Sequence, residues 1–230
     1  LAVVAPENFD AYRILTLATH AAADITNDIS QFQSLSEAVA DCGYVVGTTA
    51  RLGNRRQVIA PPDRMARSLV PISQSNRVAV IFGPEDRRLT NAELRLCHSL
   101  INIPTASFSS INLAQSVMIV AYEIFKSRKP PSTAFAPRLA SRQELAVMYE
   151  QLKEILVRIS YIQPENPDHW MDRFRRFFSR LPLRAREVSI IRGICRQIDW
   201  YAGKCYKDGK NGRPPDPALN IETPKDDPVG

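Results

Sequence analysis

The sequence predicts an α/β domain with a largely parallel sheet, followed by a small α-helical unit. Short apolar runs alternate with helix-like stretches over residues 1–126, and helix-like stretches alone follow from residue 141. Alternation of this kind favours parallel pairing, because parallel strands need a crossover connection that is usually a helix. We therefore divide the chain into a domain over 1–128, a proline-containing linker over 129–140, a helical extension over 141–203 and an extended tail over 204–230.

Short sequence features predict each helix, strand and loop of the α/β part. Strands are predicted where β-branched residues cluster, and three capping boxes mark helix starts at Ser34, Thr90 and Ser141. Prolines and glycines predict a long loop over 52–62. The predicted strands cover 1–5, 43–47, 77–82 and 100–103, and the predicted helices cover 10–19, 34–40, 63–69, 90–97 and 112–125.

The extension is predicted to contain helices over 141–160, 168–179 and 183–201. Six arginines and one acid, Asp172, lie between Trp170 and Arg186, so the net charge of +6 is concentrated near the C-terminus. A basic cluster of this density suits phosphate groups, although a solvated face is the simpler alternative. We interpret Phe174, Phe177 and Phe178 as packing residues, because aromatic residues at helical spacing are usually core.

Composition excludes several classes of protein. The chain has 230 residues and no apolar run near the ~18 needed to cross a membrane. Four cysteines occur without a C-x-x-C pair, and Cys97 and His98, being adjacent, point to different helix faces. We therefore expect free thiols, no metal, no membrane association and a cytoplasmic protein.

Two segments carry the candidate chemistry. The first, FGPEDRRLTNAEL over 82–94, follows a strand and places Gly83 and Glu85 at its carboxyl end, where open α/β sheets bind ligands. The second, NIPT over 102–105 followed by SINLAQSV over 110–117, places Ser110 and Asn112 at the start of an apolar helix. Taken singly, the acids read as solvated loop residues, and Ser110 and Asn112 as helix caps.

Taken together, the two segments resemble the second and third motifs of the SpoU/TrmH-type RNA 2′-O-ribose methyltransferases of the SPOUT superfamily. The branch that methylates transfer RNA anticodon loops (TrmJ-like) is most similar, since it shares VVGTTAR over 45–51 and the extension's PENP, RFRRFF and IIRGI stretches. The resemblance covers nearly the whole chain up to about Lys204. It implies a trefoil knot at the end of the catalytic domain, S-adenosylmethionine as cofactor, and a homodimer.

The resemblance also implies roles for particular residues. A cofactor site held largely by backbone groups would be formed by Thr48, Gly83, Glu85, Ile103, Pro104 and Leu113. The catalytic candidates are Ser110, Asn112 and Arg51, of which the first two would orient the ribose or a catalytic arginine. RNA binding falls to Arg173, Arg175, Arg176 and Arg180.

One expected motif is missing from the sequence. In the family, an arginine on a helix opened by an N-x-G turn assists loss of the 2′-hydroxyl proton, and neither that motif nor the first strand is found here. Arg51 is a substitute candidate, but contact with the substrate is the better interpretation. Arg88 also departs from the family, in which many members have glycine.

The leading hypothesis is thus an enzyme that methylates a ribose 2′-hydroxyl of tRNA, with rRNA as a further substrate to test. A non-catalytic RNA- or cofactor-binding relative is the alternative, and the missing motif discriminates between them. A nucleotide-binding α/β protein unrelated to RNA is a third hypothesis, which the paired motifs disfavour.

Overall fold

The structure is a computed structural model that describes residues 1–19, 22–50, 58–106, 111–128, 137–179 and 181–211. The strands are β1 (Ala2–Val4), β2 (Ser30–Phe32), β3 (Tyr44–Thr48), β4 (Val58–Ala60), β5 (Val78–Ile81) and β6 (Ser99–Ile101). The helices are α1 (Ala11–Leu17), α2 (Ala23–Asn27), α3 (Leu35–Ala38), α4 (Pro62–Ser73), α5 (Asn91–Leu94), α6 (Leu113–Lys126), α7 (Arg142–Arg158), α8 (Pro167–Phe178) and α9 (Ala185–Lys210).

The predicted parallel α/β architecture is confirmed, but the sheet is in two parts. Strands β4, β6, β3 and β5 form one parallel sheet in that order, and β1 pairs with β2 in a second parallel sheet. Val45 and Val46 on the central strand β3 are fully buried, on opposite faces of the sheet. This burial on both sides is typical of parallel strands covered by helices on each face.

Two expectations for local structure need correction. The predicted loop over 52–62 contains β4, a three-residue strand that the adjacent prolines concealed; Pro62 instead opens α4, where a missing N–H costs no hydrogen bond. The Thr90 and Ser141 capping boxes are confirmed. At Ser34 only half of the box forms, because the Glu37 carboxylate accepts from Gln33 N instead.

The extension is a three-helix unit with its own core, centred on Met148, Ile162 and Met171. Phe174 and Phe178 pack against this core as predicted, whereas Phe177 is 57% exposed, so its assignment to packing was wrong. Helix α9 continues to Lys210, beyond the expected end at residue 201.

The extension is fixed to the catalytic domain at the start of α7. The backbone N–H groups of Arg142 and Gln143 donate to the carbonyls of Cys42 (3.1 Å) and Ala40 (2.8 Å), just beyond α3. Helix starts carry unpaired donors, so this junction satisfies two of the donors at the start of α7. Asn76 also holds the chain before α7: its Oδ1 accepts from Leu139 N at 2.7 Å.

Candidate active site

Three strands of the main sheet end at one edge, and hydrogen bonds join their ends. Thr48, the last residue of β3, donates from Oγ1 to the carbonyl of Ile81 at the end of β5 (3.1 Å). On the other side, Thr49 N donates to the carbonyl of Ile101 at the end of β6 (2.8 Å). The segments that follow these strands therefore lie together at the carboxyl edge, where open α/β sheets bind ligands.

Gly83 permits a close approach within the chain itself. A Cβ at this position would lie 2.3 Å from the backbone nitrogen of Leu89 and 2.5 Å from the carbonyl carbon of Arg88. The turn returns so tightly that Arg88 adopts a left-handed φ of 62°. A left-handed φ favours glycine, which accounts for the preference for glycine that the resemblance indicates at this position. The close neighbour that requires glycine at position 83 is the returning loop, and a role of Gly83 in cofactor binding stays a prediction.

The carboxylate of Glu85 holds the start of α6. Its Oε1 accepts from Asn112 Nδ2 at 2.7 Å and from Leu113 N at 2.8 Å. Asn112 is also the N-cap of the helix, since its Oδ1 accepts from Gln115 N at 3.2 Å. The capping interpretation of Asn112 is thus correct, and it coexists with a position beside the second motif. Negative charge at a helix N-terminus is favourable because unpaired N–H groups concentrate there.

These elements enclose a cavity of about 90 Å³. Its wall includes five of the six predicted cofactor residues, Thr48, Gly83, Glu85, Ile103 and Leu113. Pro104 is exposed beside Ile103 and does not line the cavity. The sequence prediction missed further lining residues, most of them apolar or small and unremarkable in a single sequence: Thr49, Ala50, Phe82, Pro84, Arg88, Leu89, Ile101, Ile111 and Ser116.

Three predicted site residues, Arg51, Ser110 and Arg180, lie outside the described residues.

The protein comparisons agree with this arrangement. The profile described as the SpoU rRNA Methylase family matches residues 1–122, more than half of the chain. The chain belongs to the SpoU methylase family. The profile described as the C-terminal domain of tRNA methyltransferase TrmJ matches residues 143–210 of this SpoU methylase, so the helical extension is covered as well.

Several proteins are similar to this SpoU methylase over most of their length. The tRNA (cytidine/uridine/adenosine-2′-O-)-methyltransferase TrmJ of Pseudomonas aeruginosa is 32% identical over 224 residues, which cover 90% of this chain and 86% of that protein. The tRNA (cytidine/uridine-2′-O-)-methyltransferase TrmJ of Photorhabdus laumondii is 31% identical over 189 residues, covering 80% and 78%. The crystal structure of TrmJ from Z. mobilis superposes with a TM-score of 0.67 at 25% identity, covering 86% of each chain.

In this SpoU methylase, the three predicted RNA-binding arginines that the structure describes each contact another group of the protein. Arg173 lies over the Trp170 ring, 4.6 Å from its centroid. Arg175 forms ion pairs with Glu150 (3.6 Å) and Asp172 (3.5 Å). Arg176 donates from Nε to the carbonyl of Asp172. Arg175 and Arg176 line a groove of about 970 Å³ between the extension and the α/β domain, whereas Arg173 does not line it.

Burial controls the titration of the groups near the junction. Desolvation lowers the pKa of His98 to about 3, and its Nδ1 accepts from Val45 N at 3.0 Å, so His98 is neutral. Desolvation also raises the pKa of Cys97 to about 12 and that of Cys42 to about 11. These thiols stay protonated near pH 7, which makes them poor nucleophiles.

Within the described ranges, no helix is long and apolar enough to span a membrane, and no three His, Cys, Asp or Glu side chains cluster as metal ligands would. All four cysteines are free.

Proposed function

We propose that this chain transfers a methyl group from S-adenosylmethionine to a ribose 2′-hydroxyl of tRNA, most specifically to an anticodon-loop nucleotide. Membership of the SpoU methylase family supports the reaction, and the names of the similar TrmJ proteins support tRNA as the substrate. The structural observation that carries the proposal is the joining of Glu85 to Asn112, which unites the second and third motifs at the carboxyl edge of the sheet.

The residues present fit part of such a cofactor. Leu89, Ile101, Ile103 and Ile111 provide apolar walls, and Gly83 borders the same cavity. A volume of about 90 Å³ is well below the ~300 Å³ or more of typical small-molecule pockets. Ala50 and Ile111 line the cavity, and in the sequence they adjoin the predicted site residues Arg51 and Ser110. When bound, S-adenosylmethionine supplies an electrophilic methyl group.

The protein must then orient the ribose and help its hydroxyl lose a proton, because a neutral hydroxyl is a weak nucleophile. We assign orientation to Asn112 and Ser110, with the Glu85 carboxylate fixing the direction of the Asn112 amide. Arg51, three residues after Thr48, is assigned to the substrate side of the site.

RNA binding is assigned to Arg173, Arg175, Arg176 and Arg180 of the extension. The described members of this set lie on α8 and keep partly exposed guanidinium groups, of which Arg175 is 36% exposed. Arginine forks match phosphate oxygens, so a phosphodiester can replace their carboxylate partners. The same surface would accept rRNA, which competition with tRNA would reveal.

A homodimer is the proposed assembly, through the outer face of α6. Val117, Met118, Ile119, Tyr122 and Phe125 are all at least 37% exposed, whereas Val120 on the inner face is 2% exposed. An exposed apolar patch of this kind marks an interaction site. Sedimentation should give a dimer that Met118→Asp dissociates; a monomeric wild-type protein would overturn the assignment.

The trefoil knot and a cytoplasmic location complete the proposal. The knot is supported by strand order, because β6 lies between β3 and β4, which are consecutive in the chain. Four free thiols suit a reducing compartment.

Transfer of labelled methyl groups from S-adenosylmethionine tests the proposed function. The complete encoded protein would be incubated with unmodified tRNA, and in parallel with rRNA. We expect transfer to tRNA. Absence of transfer to either RNA, with cofactor binding intact, would establish the non-catalytic alternative instead.

A further inference from the structure

The end of α9 projects beyond the rest of the extension. Helices α7 and α9 run in the same direction, since Leu139 bridges to Arg184 near their starts and Arg158 pairs with Asp199 where α7 ends. Residues 200–210 continue past this pairing, a length of about 16 Å at 1.5 Å per residue. Most of the described residues in this projecting segment are exposed, unlike those in the core of the extension.

One face of this helix end combines an aromatic ring with positive charge. Arg196, Trp200, Lys204 and Lys207 recur at intervals of three or four residues and therefore share a face. Trp200 is 59% exposed, and Lys204 Nζ lies 5.6 Å from the centroid of its ring. Within the described residues, Arg196 and Lys207 form no ion pair, so their charges are available to an anionic partner.

Gly203 leaves the Trp200 ring accessible. It lies three residues after Trp200, where a side chain would stand beside the ring, and a Cβ there would have no atom within 4 Å. Glycine costs about 1 kcal/mol relative to alanine inside a helix, and no crowding requires it here. The Trp200 indole therefore has one uncovered side, and basic side chains lie next to it on the helix.

We propose that this face is a second RNA-binding surface, in which Trp200 stacks on an unpaired base and Arg196, Lys204 and Lys207 contact the flanking phosphates. The inference rests on the proposed function, because it takes RNA as the substrate. A protein partner fits less well, because the ring is flanked by cations rather than by further apolar side chains. Stacking on aromatic rings beside a basic track is how single-stranded RNA is bound without regard to sequence.

The position of this face implies a substrate of considerable length. Helix α7 spans about 25 Å from its junction with the catalytic domain, and the projecting end of α9 adds about 16 Å. Trp200 directly follows Asp199, which pairs with the end of α7, so it lies about 25 Å along the extension from that junction, and Lys207 lies about 10 Å further. We expect a folded tRNA to contact both places and a short hairpin that carries only the target loop to contact the second surface less.

Tryptophan fluorescence tests the contact directly. The chain has two tryptophans, so Trp170→Phe leaves Trp200 as the only reporter. We expect unmodified tRNA to quench its emission, and added salt to reverse the quenching. Unchanged emission while filter binding shows tRNA bound would overturn the proposal. A change that follows protein concentration without RNA would also overturn it, by showing that a second copy covers the face.

Substitutions distinguish an RNA-binding role of Trp200 from a purely structural one. Trp200→Ala should weaken binding of full-length tRNA roughly 5- to 150-fold, the range for loss of one base–aromatic stack, while Trp200→Phe retains most of the affinity. Tyr206→Ala is the matched control, since Tyr206 is 73% exposed on the same segment, about 120° around the helix from Trp200. Binding of the hairpin and of S-adenosylmethionine should not change. An equal loss for hairpin and tRNA would contradict the proposal.

Failure of this inference is distinguishable from failure of the proposed function. Methyl transfer to tRNA with identical KM in wild type and Trp200→Ala would reject the second surface alone. Absence of methyl transfer by the wild-type protein would reject the proposed function.

Discussion

The Glu85 carboxylate and the Asn112 side chain form a 2.7 Å hydrogen bond between the loop after β5 and the start of α6. The same oxygen accepts from Leu113 N, so one carboxylate both caps the helix and orients an amide. Asn112 Oδ1 is held in turn by Gln115 N. The amide is therefore fixed from both ends, which is the preorganisation that a positioning role in catalysis requires.

Replacement of Asn112 tests this role. Asn112→Ala should reduce methyl transfer by orders of magnitude and lower the free energy of unfolding by about 0.5–2 kcal/mol through loss of the cap. Asn112→Ser is the matched control, because serine keeps a capping oxygen but lacks the amide donor. We expect it to unfold like wild type and still lose activity. Near-full activity of Asn112→Ser would show that Asn112 is only a cap.

Replacement by alanine should change the free energy of unfolding in opposite directions at Gly83 and Gly203. Gly83→Ala should strongly destabilise the protein, because its Cβ would overlap the backbone of Arg88 and Leu89. Gly203→Ala meets open space within a helix and should stabilise it by up to about 1 kcal/mol. Thermal or denaturant unfolding of both variants measures the difference. A Gly83→Ala protein as stable as wild type would contradict the geometry of the turn.

Burial of neutral His98 predicts acid sensitivity. The unfolded chain binds a proton at His98 below about pH 6.5, whereas the folded chain does not until about pH 3. The unfolded state thus binds more protons in this window, so the free energy of unfolding falls on acidification, by at most about 1.4 kcal/mol per pH unit.

His98→Asn provides the comparison, because its Oδ1 can still accept from Val45 N without titrating. Denaturant unfolding between pH 7.5 and 4.5 should show a smaller decline for the variant. Parallel curves for the two proteins would show that His98 is accessible to protons in the folded state.

Charge reversal on α8 tests the RNA surface. Arg175→Glu with Arg176→Glu should weaken tRNA binding and reduce the salt dependence of log K by roughly 1.8 if each residue contacts one phosphate of a duplex. Arg64→Glu with Arg67→Glu on α4 carries the same change in net charge at exposed positions. Equal weakening by both pairs would mean that the effect is one of net charge alone.

Much of the fold was predictable because its determinants are local. The capping boxes at Thr90 and Ser141 need only residues three positions apart. The centre of β3 was predicted from its two adjacent valines, which are buried. Strand β4 was not predictable in this way, since its three residues gain their pairing from β6 some forty positions away. The end of α9 was misplaced because residues 203–230 are rich in Gly, Pro, Lys and Asp, a composition typical of an extended tail, although the helix continues through Gly203 and Gly209.

The site was only partly predictable for a related reason. Motif residues such as Glu85 and Asn112 were identified, but no local pattern shows that their side chains meet across 27 positions. Gly83 was identified by its position after β5, but its crowding by the backbone of residues 88 and 89 depends on how the turn folds. Lining residues such as Ile111 and Ser116 are ordinary types whose role depends on tertiary placement.

Mapping the methyl group by mass spectrometry tests the central claim most directly. Unmodified tRNA would be treated with the complete encoded protein and S-adenosylmethionine, then digested to nucleosides and to oligonucleotides. We expect a methyl group on the ribose 2′-oxygen of one anticodon-loop nucleotide, absent with Asn112→Ser. A methyl group on a base, or a ribose methyl group that Asn112→Ser leaves undiminished, would contradict it.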